Sequence, residues 1–376
     1  MSGLYIHIPF CKRKCNYCDF ISFTDKADCF IASYCDALKK EMSFYSQKLQ
    51  SYSFDTVFIG GGTPSVIDEK FISDILFSLK QNFNITTNAE ITIEANPGTL
   101  SEEKLLSYRK TGINRLSLGV QSMDDKVLKA IGRIHNAVEA IKSFNLARKC
   151  GFDNINIDLM YALPMQTDES LLDTLNKVIT LAPEHISAYS LILEERTKLF
   201  DMYEQGKIVL PNDDEAYSLH RKCIEYLTQN GYSRYEISNY AKSGRECKHN
   251  LNYWQNGEYL GLGIAAHSAI RISENLERWS NTSIFDDYIQ NPQAEETHDI
   301  ILHDEEIFEF VMLSLRKTEG FSLSSFKERF NESFMERYSD KLKKLIDKGW
   351  IIVSDDWLRL TDGGLDMQNE VLTELL

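Results

Sequence analysis

No run of apolar residues in this sequence approaches the roughly 18–20 needed to span a bilayer, so no membrane-crossing helix is expected. There is no charged leader followed by an apolar stretch and a cleavage site. The chain goes from Met1 straight into a strand-like run, which gives no export signal. Positive charge is scarce: 41 Lys and Arg face 56 Asp and Glu, a net −15, which argues against a broad nucleic-acid-binding surface. Low-complexity segments are missing, and so is any internal repeat beyond an alternation of strands and helices. Without an export signal, the eight cysteines do not read as a disulfide framework, and a reducing cytoplasm is the expected setting.

The 376 residues suffice for one large domain and a smaller one, and 43% apolar content supports a real core. Strand-like and helix-like runs alternate for about 190 residues. The spacing predicts strands at 54–60, 89–96, 114–122, 154–164 and 185–193, after the opening LYIHIPF. Helices are expected over 28–50, 68–83, 124–130, 136–150 and 168–181, with another opened by Ser101 as N-cap. Six such β/α units predict an α/β fold with a parallel sheet, curled as a full or partial (β/α)6 barrel whose chemistry sits at the C-terminal strand ends. We divide the chain into a core at 1–195, a less regular extension at 196–303, and a C-terminal unit at 304–376. The last reads as three helices and a hairpin turning at Ser354 to Asp356, a winged-helix-like pattern too acidic to suggest DNA.

The stretch Tyr5 to Phe20 holds Cys11, Cys15 and Cys18, with three and then two residues between them. Three thiolates in one short loop can hold three corners of an iron–sulfur cluster and leave the fourth iron open. A zinc site would need a fourth protein ligand; Asp19 or His7 could serve, but neither completes a familiar zinc pattern. Cys29 and Cys35 fall in a helical stretch and are expected to be buried apolar residues.

Gly60-Gly61-Gly62-Thr63-Pro64 follows the second strand, where glycines allow close approach of a ligand to the backbone or simply a tight turn. No Gly-Lys-Ser/Thr follows, so this is not a phosphate loop. Glu94, Gln121 and Asp158 close other strands, and Arg133 lies in the connecting IGRIH. Singly such residues are loop anchors or caps. As a set on one barrel face, carboxylates can take ribose hydroxyls and a guanidinium can clamp a carboxylate.

Together YIHIPFC, GGGTPS, IEANPG, LGVQS, GRIH and the strand ending in Asp158 resemble the oxygen-independent coproporphyrinogen III oxidase branch of the radical SAM proteins, along nearly the whole chain. The resemblance implies that Cys11, Cys15 and Cys18 bind a 4Fe–4S cluster whose open iron chelates S-adenosylmethionine (SAM), cleaved to a 5′-deoxyadenosyl radical by a cluster electron. It also implies that Tyr5, Tyr17, Gly61, Gly62, Thr63, Glu94, Gln121, Arg133 and Asp158 line one or two SAM positions. The oxidases carry a further cysteine two places after the third, where this chain has Phe20, and an N-terminal extension for which Cys11 leaves no room. Both departures match a sister group of haem chaperones, as does His249-Asn250-Leu251-Asn252-Tyr253-Trp254, the group's HNxxYW motif. An imidazole is a common haem ligand and flat aromatics pack on porphyrins, so His249 is the expected haem-binding residue and Cys247 a second axial candidate. An isolated motif of this kind also describes a structural histidine with core neighbours. His7 is expected beside the cluster, and His267 as a lining or core residue. The implied function is transfer of haem to an acceptor protein, with an electron donor for the cluster. The alternatives are oxidative decarboxylation of coproporphyrinogen III, or the activity of a radical SAM methyltransferase or haem-degrading relative.

Overall fold

The computed structural model describes every residue except Asp25, Ser273 and Leu376. Its centre is a run of six parallel strands: β1 (Ser2–Ile8), β2 (Ser53–Gly61), β3 (Asn84–Ala95), β4 (Arg115–Gln121), β5 (Ile155–Tyr161) and β6 (His185–Ser190). Neighbours in sequence are neighbours in the sheet. The crossovers carry α1 (Asp28–Lys48), α2 (Glu69–Asn82), α3 (Glu102–Thr111), α4 (Asp125–Ala130), α5 (Ala137–Lys149) and α6 (Asp168–Leu181). Strand and helix boundaries follow the apolar periods closely. Ser101 caps α3 as expected, its hydroxyl accepting from the Lys104 N–H at 3.2 Å. β3 begins five residues before its alternating stretch, because Asn84 and Ile85 pair with Ser53 and Phe54 below a register shift.

The less regular middle of the chain extends both ends of this sheet. At one end β7 (Ser233–Arg234) and β8 (Asn239–Ala241) add antiparallel to β6. At the other, β9 (Glu258–Leu262) runs parallel to β1 and leads into β10 (His267–Ile272), β11 (Asn275–Asn281) and β12 (Glu295–Ile301). The result is a twelve-stranded sheet in the order β12-β11-β10-β9-β1-β2-β3-β4-β5-β6-β8-β7. The C-terminal residues have their own core, built on Ile307, Val311, Phe326, Phe334 and Leu345. There the hairpin of Ile351–Ser354 and Trp357–Leu360 gains a third short strand, Phe321–Ser322. Among the described residues no helix is long and apolar enough to cross a membrane.

The central strands are buried on both faces, yet their chemistry alternates. One face presents Leu116, Leu118, Ile155, Ile157 and Ile186 to the core. The other presents Arg115, Ser117, Asn156, Asp158, His185 and Ser187 to an internal cavity. A closed eight-stranded α/β barrel is usually filled by branched apolar side chains. This lumen is polar, which fits a container rather than a packed core.

One buried charge lies away from the cavity. Glu41 on α1 accepts from Tyr288 Oη and Asn281 Nδ2, both at 2.6 Å, and from the Gly263 N–H at 2.9 Å. Burial outweighs these bonds and raises its pKa to about 7. A raised folded-state pKa means stability that is full below the unfolded value and is lost as pH rises through the folded one. The shift corresponds to about 3 kcal/mol. The stability of the wild-type chain should therefore fall between about pH 4.5 and 7 relative to Glu41→Gln, measured by urea unfolding at each pH. A constant difference across that window would remove Glu41 as the cause.

Candidate functional site

The cluster loop leaves β1 at the C-terminal end of the sheet and is tied down by backbone. The Asn16 N–H donates to Ile131 O at 3.0 Å, and Asn16 Nδ2 to Ala130 O at 3.2 Å. This docks the loop on the IGRIH segment and brings Arg133 to it. The Arg133 guanidinium donates to Cys15 Sγ at 3.4 Å, to Asn96 Oδ1 at 2.6 Å and to Gly119 O. Asn96 Nδ2 in turn donates to Thr63 Oγ1 at 2.9 Å, which lies 3.5 Å from Cys11 Sγ. A polar chain thus runs from Arg133 through Asn96 and Thr63 to the first cysteine. Asn96 was present in IEANPG, but nothing local signals that it joins two loops.

The glycine run makes room for this arrangement. Gly61 has φ +111°, and a Cβ there would meet the His7 ring at 2.7 Å. A Cβ on Gly62 would sit 2.8 Å from Phe10 O and 3.0 Å from Cys11 Sγ. Only glycine tolerates both the backbone angle at the first and the contacts at the second. The buried His7 hydrogen-bonds to Tyr5 Oη and weakly to Ile21 O, beside the cluster loop as expected, and burial lowers its pKa to about 4.

A cavity of about 670 Å³ opens over these residues and runs down the polar lumen. Its walls include Cys11, Cys15 and Cys18 and eight of the nine residues expected around SAM: Tyr17, Gly61, Gly62, Thr63, Glu94, Gln121, Arg133 and Asp158. Tyr5 is the exception. It is outside the lining and stacks on Phe58 with ring centroids 6.3 Å apart. Phe20, where the oxidases have a cysteine, is exposed and also lines the cavity.

The residues fit the implied groups. Three thiols face one space; burial raises the pKa of Cys11 and Cys18, and iron would hold all three as thiolates. No three metal-ligating side chains among the described residues are grouped to hold one ion. A cluster asks each thiolate to bind a different iron. Toward SAM, Arg133 Nε is buried without an acceptor, an opening for a carboxylate. Glu94 is pushed up to about 8 by burial and then by Asp158, against the pull of the Gly61 N–H. Asp158, itself raised by burial, accepts from Ser117 Oγ at 2.9 Å and Asn156 Nδ2 at 2.7 Å. A cation bound between these carboxyls would favour their ionised forms.

His249 is not brought to the cavity surface. It lies on α7 (Lys248–Trp254), which plugs the N-terminal end of the lumen. The ring is 1% exposed, stacks on Phe58 and has both nitrogens engaged. Nδ1 pairs with Thr56 Oγ1 at 2.8 Å and Nε2 with Tyr253 Oη at 3.1 Å. Burial lowers its pKa to about 3, so the ring is neutral. Coordinating iron would require Nε2 to leave Tyr253 and the plug to open. Cys247 does line the cavity, with its thiol 3.6 Å from Glu90 Oε1 and its pKa raised to about 12 by burial. Two other expectations are corrected. Cys29 is exposed, because it falls on the solvent side of the first turn of α1. His267 is exposed at the start of β10 rather than lining the site.

The profile of the Radical SAM superfamily matches residues 5–178, and that of the HemN C-terminal domain matches residues 301–367. A Bacillus subtilis protein named heme chaperone HemW is 36% identical over 382 residues, covering 100% of this chain and 99% of its own. Its Escherichia coli namesake is 34% identical and covers 98% of this chain and 97% of its own. The structure of coproporphyrinogen III oxidase (HemN) from Escherichia coli, a radical SAM enzyme, superposes with a TM-score of 0.84 at 25% identity, over 100% of this chain and 89% of that one. With the cysteine loop, the glycine turn and the strand-end residues gathered on one cavity, the chain belongs to the radical SAM superfamily and, within it, to the family of the heme chaperones HemW.

Proposed function

We propose that this protein is a haem chaperone that binds a 4Fe–4S cluster, SAM and haem, and passes haem to an acceptor protein. The observation that carries the reading is full-length similarity to proteins named heme chaperones, joined to Phe20 at the cavity wall where the oxidases have a cysteine. Cys11, Cys15 and Cys18 would hold the cluster, which would supply the electron for SAM cleavage once an electron donor had reduced it. Arg133 would take the SAM carboxylate, the Gly61–Gly62 backbone would take its methionine part, and Glu94 and Asp158 would bind its hydroxyls and positive charge. Tyr17, Thr63 and Gln121 complete the wall, and Tyr5 supports it from behind through Phe58. A cytoplasmic setting suits the open iron and the required reductant. The second reading, coproporphyrinogen III oxidation, is favoured by the close superposition on HemN.

The test is anaerobic reconstitution followed by parallel assays of haem binding and of coproporphyrinogen III consumption with SAM and reductant. Stable stoichiometric haem and no protoporphyrinogen support the chaperone. Robust turnover without stable haem promotes the oxidase. His249→Ala belongs in the same experiment. Losing the buried ring strands Thr56 and Tyr253 and should cost about 2–4 kcal/mol of stability. If His249 also ligates haem iron, the Soret band of the variant shifts and haem dissociates faster. An unchanged Soret band restricts the residue to holding the plug.

A further inference from the structure

The lumen continues below the cluster and the SAM-facing residues, and its deep end has unused recognition groups. Arg115, at the start of β4, is 1% exposed and lines the cavity. One of its nitrogens, Nη1, donates to Asn154 Oδ1 at 2.9 Å and to Arg245 O at 3.5 Å, both neutral acceptors. Among the described residues no carboxylate lies within ion-pair distance of it. Glu90 and Asp158 act on it only through space, with the Cys247 thiol and the Tyr235 hydroxyl. Asp158 is already held by Ser117 and Asn156, and Glu90 accepts from Cys247 and the His249 N–H. Those acids favour its charged form, but its Nε and Nη2 make no hydrogen bond among the described residues and so keep N–H donors free at the cavity wall.

A second group points the same way. Asn239, on β8 opposite Ser187, also lines the cavity and is 6% exposed. Its Oδ1 is buried with no donor. The neighbouring Glu236 Oε2 is likewise buried without a partner. The deep end therefore offers a fork of N–H donors and a lone acceptor.

We propose that the deep end of the lumen is a carboxylate-binding subsite: Arg115 takes the carboxylate through its guanidinium, and Asn239 Oδ1 accepts a hydrogen bond from the same ligand or from a water it carries. Two sources share that chemistry: a haem propionate extending down the lumen, or a separate small carboxylic acid. The subsite does not depend on haem being the cargo.

The experiment uses full-length protein with its cluster reconstituted and SAM present. Haemin and haemin dimethyl ester are titrated by their Soret bands, and sodium propionate is tested by its effect on Tm. Wild type is compared with Arg115→Gln and with Arg115→Lys, which keeps the charge but loses the fork. If a propionate of haem fills the subsite, wild type binds haemin more tightly than the ester, by roughly ten- to a hundredfold, and Arg115→Gln erases the difference. If a separate acid fills it, haemin and ester bind alike, and propionate raises the Tm of wild type but not of Arg115→Gln. The acid–ester comparison and the propionate shift need only wild type, so a poorly folding variant does not block the test. Wild-type protein that neither prefers the acid nor responds to propionate overturns the proposal and leaves a water-filled lumen. Failure of wild type to hold haem at all refutes the chaperone reading, while the propionate arm still decides the subsite.

Discussion

Serine at any one of Cys11, Cys15 and Cys18 is expected to abolish the brown iron–sulfur absorbance of anaerobically prepared protein. The three thiols face one cavity and no fourth cysteine lies in the loop to take over a lost corner. A serine hydroxyl is a harder and far less acidic ligand than a thiol, and soft thiolates are what iron–sulfur clusters are built on. The same change at Cys29, Cys35, Cys150 or Cys223 should leave the absorbance intact. Cys29 is exposed on α1, and Cys35, Cys150 and Cys223 are buried in the main core away from the cavity. Iron and sulfide are counted alongside circular dichroism, so that misfolding is not mistaken for a lost ligand. A triple Cys11/Cys15/Cys18 serine variant that still takes up wild-type amounts of both would refute the assignment.

The second large effect is expected at Arg133. Its guanidinium joins the cluster loop, Asn96 and Gly119 O, and its Nε is left for a ligand. Arg133→Ala should weaken SAM at least roughly tenfold, since a bond to a charged group contributes about 1.5–3 kcal/mol. Arg133→Lys should recover only part of this, because an ammonium cannot span Asn96 and a carboxylate at once. Asp158→Asn should weaken SAM by removing the charge that faces a cationic ligand, while the cluster still assembles. The measurement is equilibrium dialysis of SAM at matched cluster content. Unchanged affinity in both the Arg133→Ala and Asp158→Asn proteins would remove these residues from the site.

The β/α alternation, the capped helix at Ser101 and the three-cysteine loop were readable because each is encoded over a few consecutive residues. Apolar period, cap and ligand spacing are local properties. The short strands between 233 and 301 were not, since two- to seven-residue segments give little periodicity and owe their pairing to an existing sheet edge. The same distinction runs through the site. That Gly61, Gly62, Glu94 and Gln121 gather on one face follows from their places at strand ends, whereas Asp158 sits in the middle of β5 rather than closing it, and Arg133 lies in the loop between α4 and α5. That Asn96 links Arg133 to Thr63 does not follow from such places.

By itself, then, the sequence determined the parallel core, the cluster loop and the strand ends that face it, since local pattern governs all three. Tertiary structure alone decided the fate of each polar side chain. His249 became a buried plug because Thr56 and Phe58, some 190 residues earlier, meet its ring. Cys29 and Cys35, six residues apart on one helix, were sent to solvent and core by the direction in which α1 packs. Arg115 was left unpaired at the lumen floor because its neighbouring carboxylates are bound elsewhere. Whether a polar group is satisfied depends on partners distant in sequence, and in a buried site that decides between a structural bond and a ligand contact.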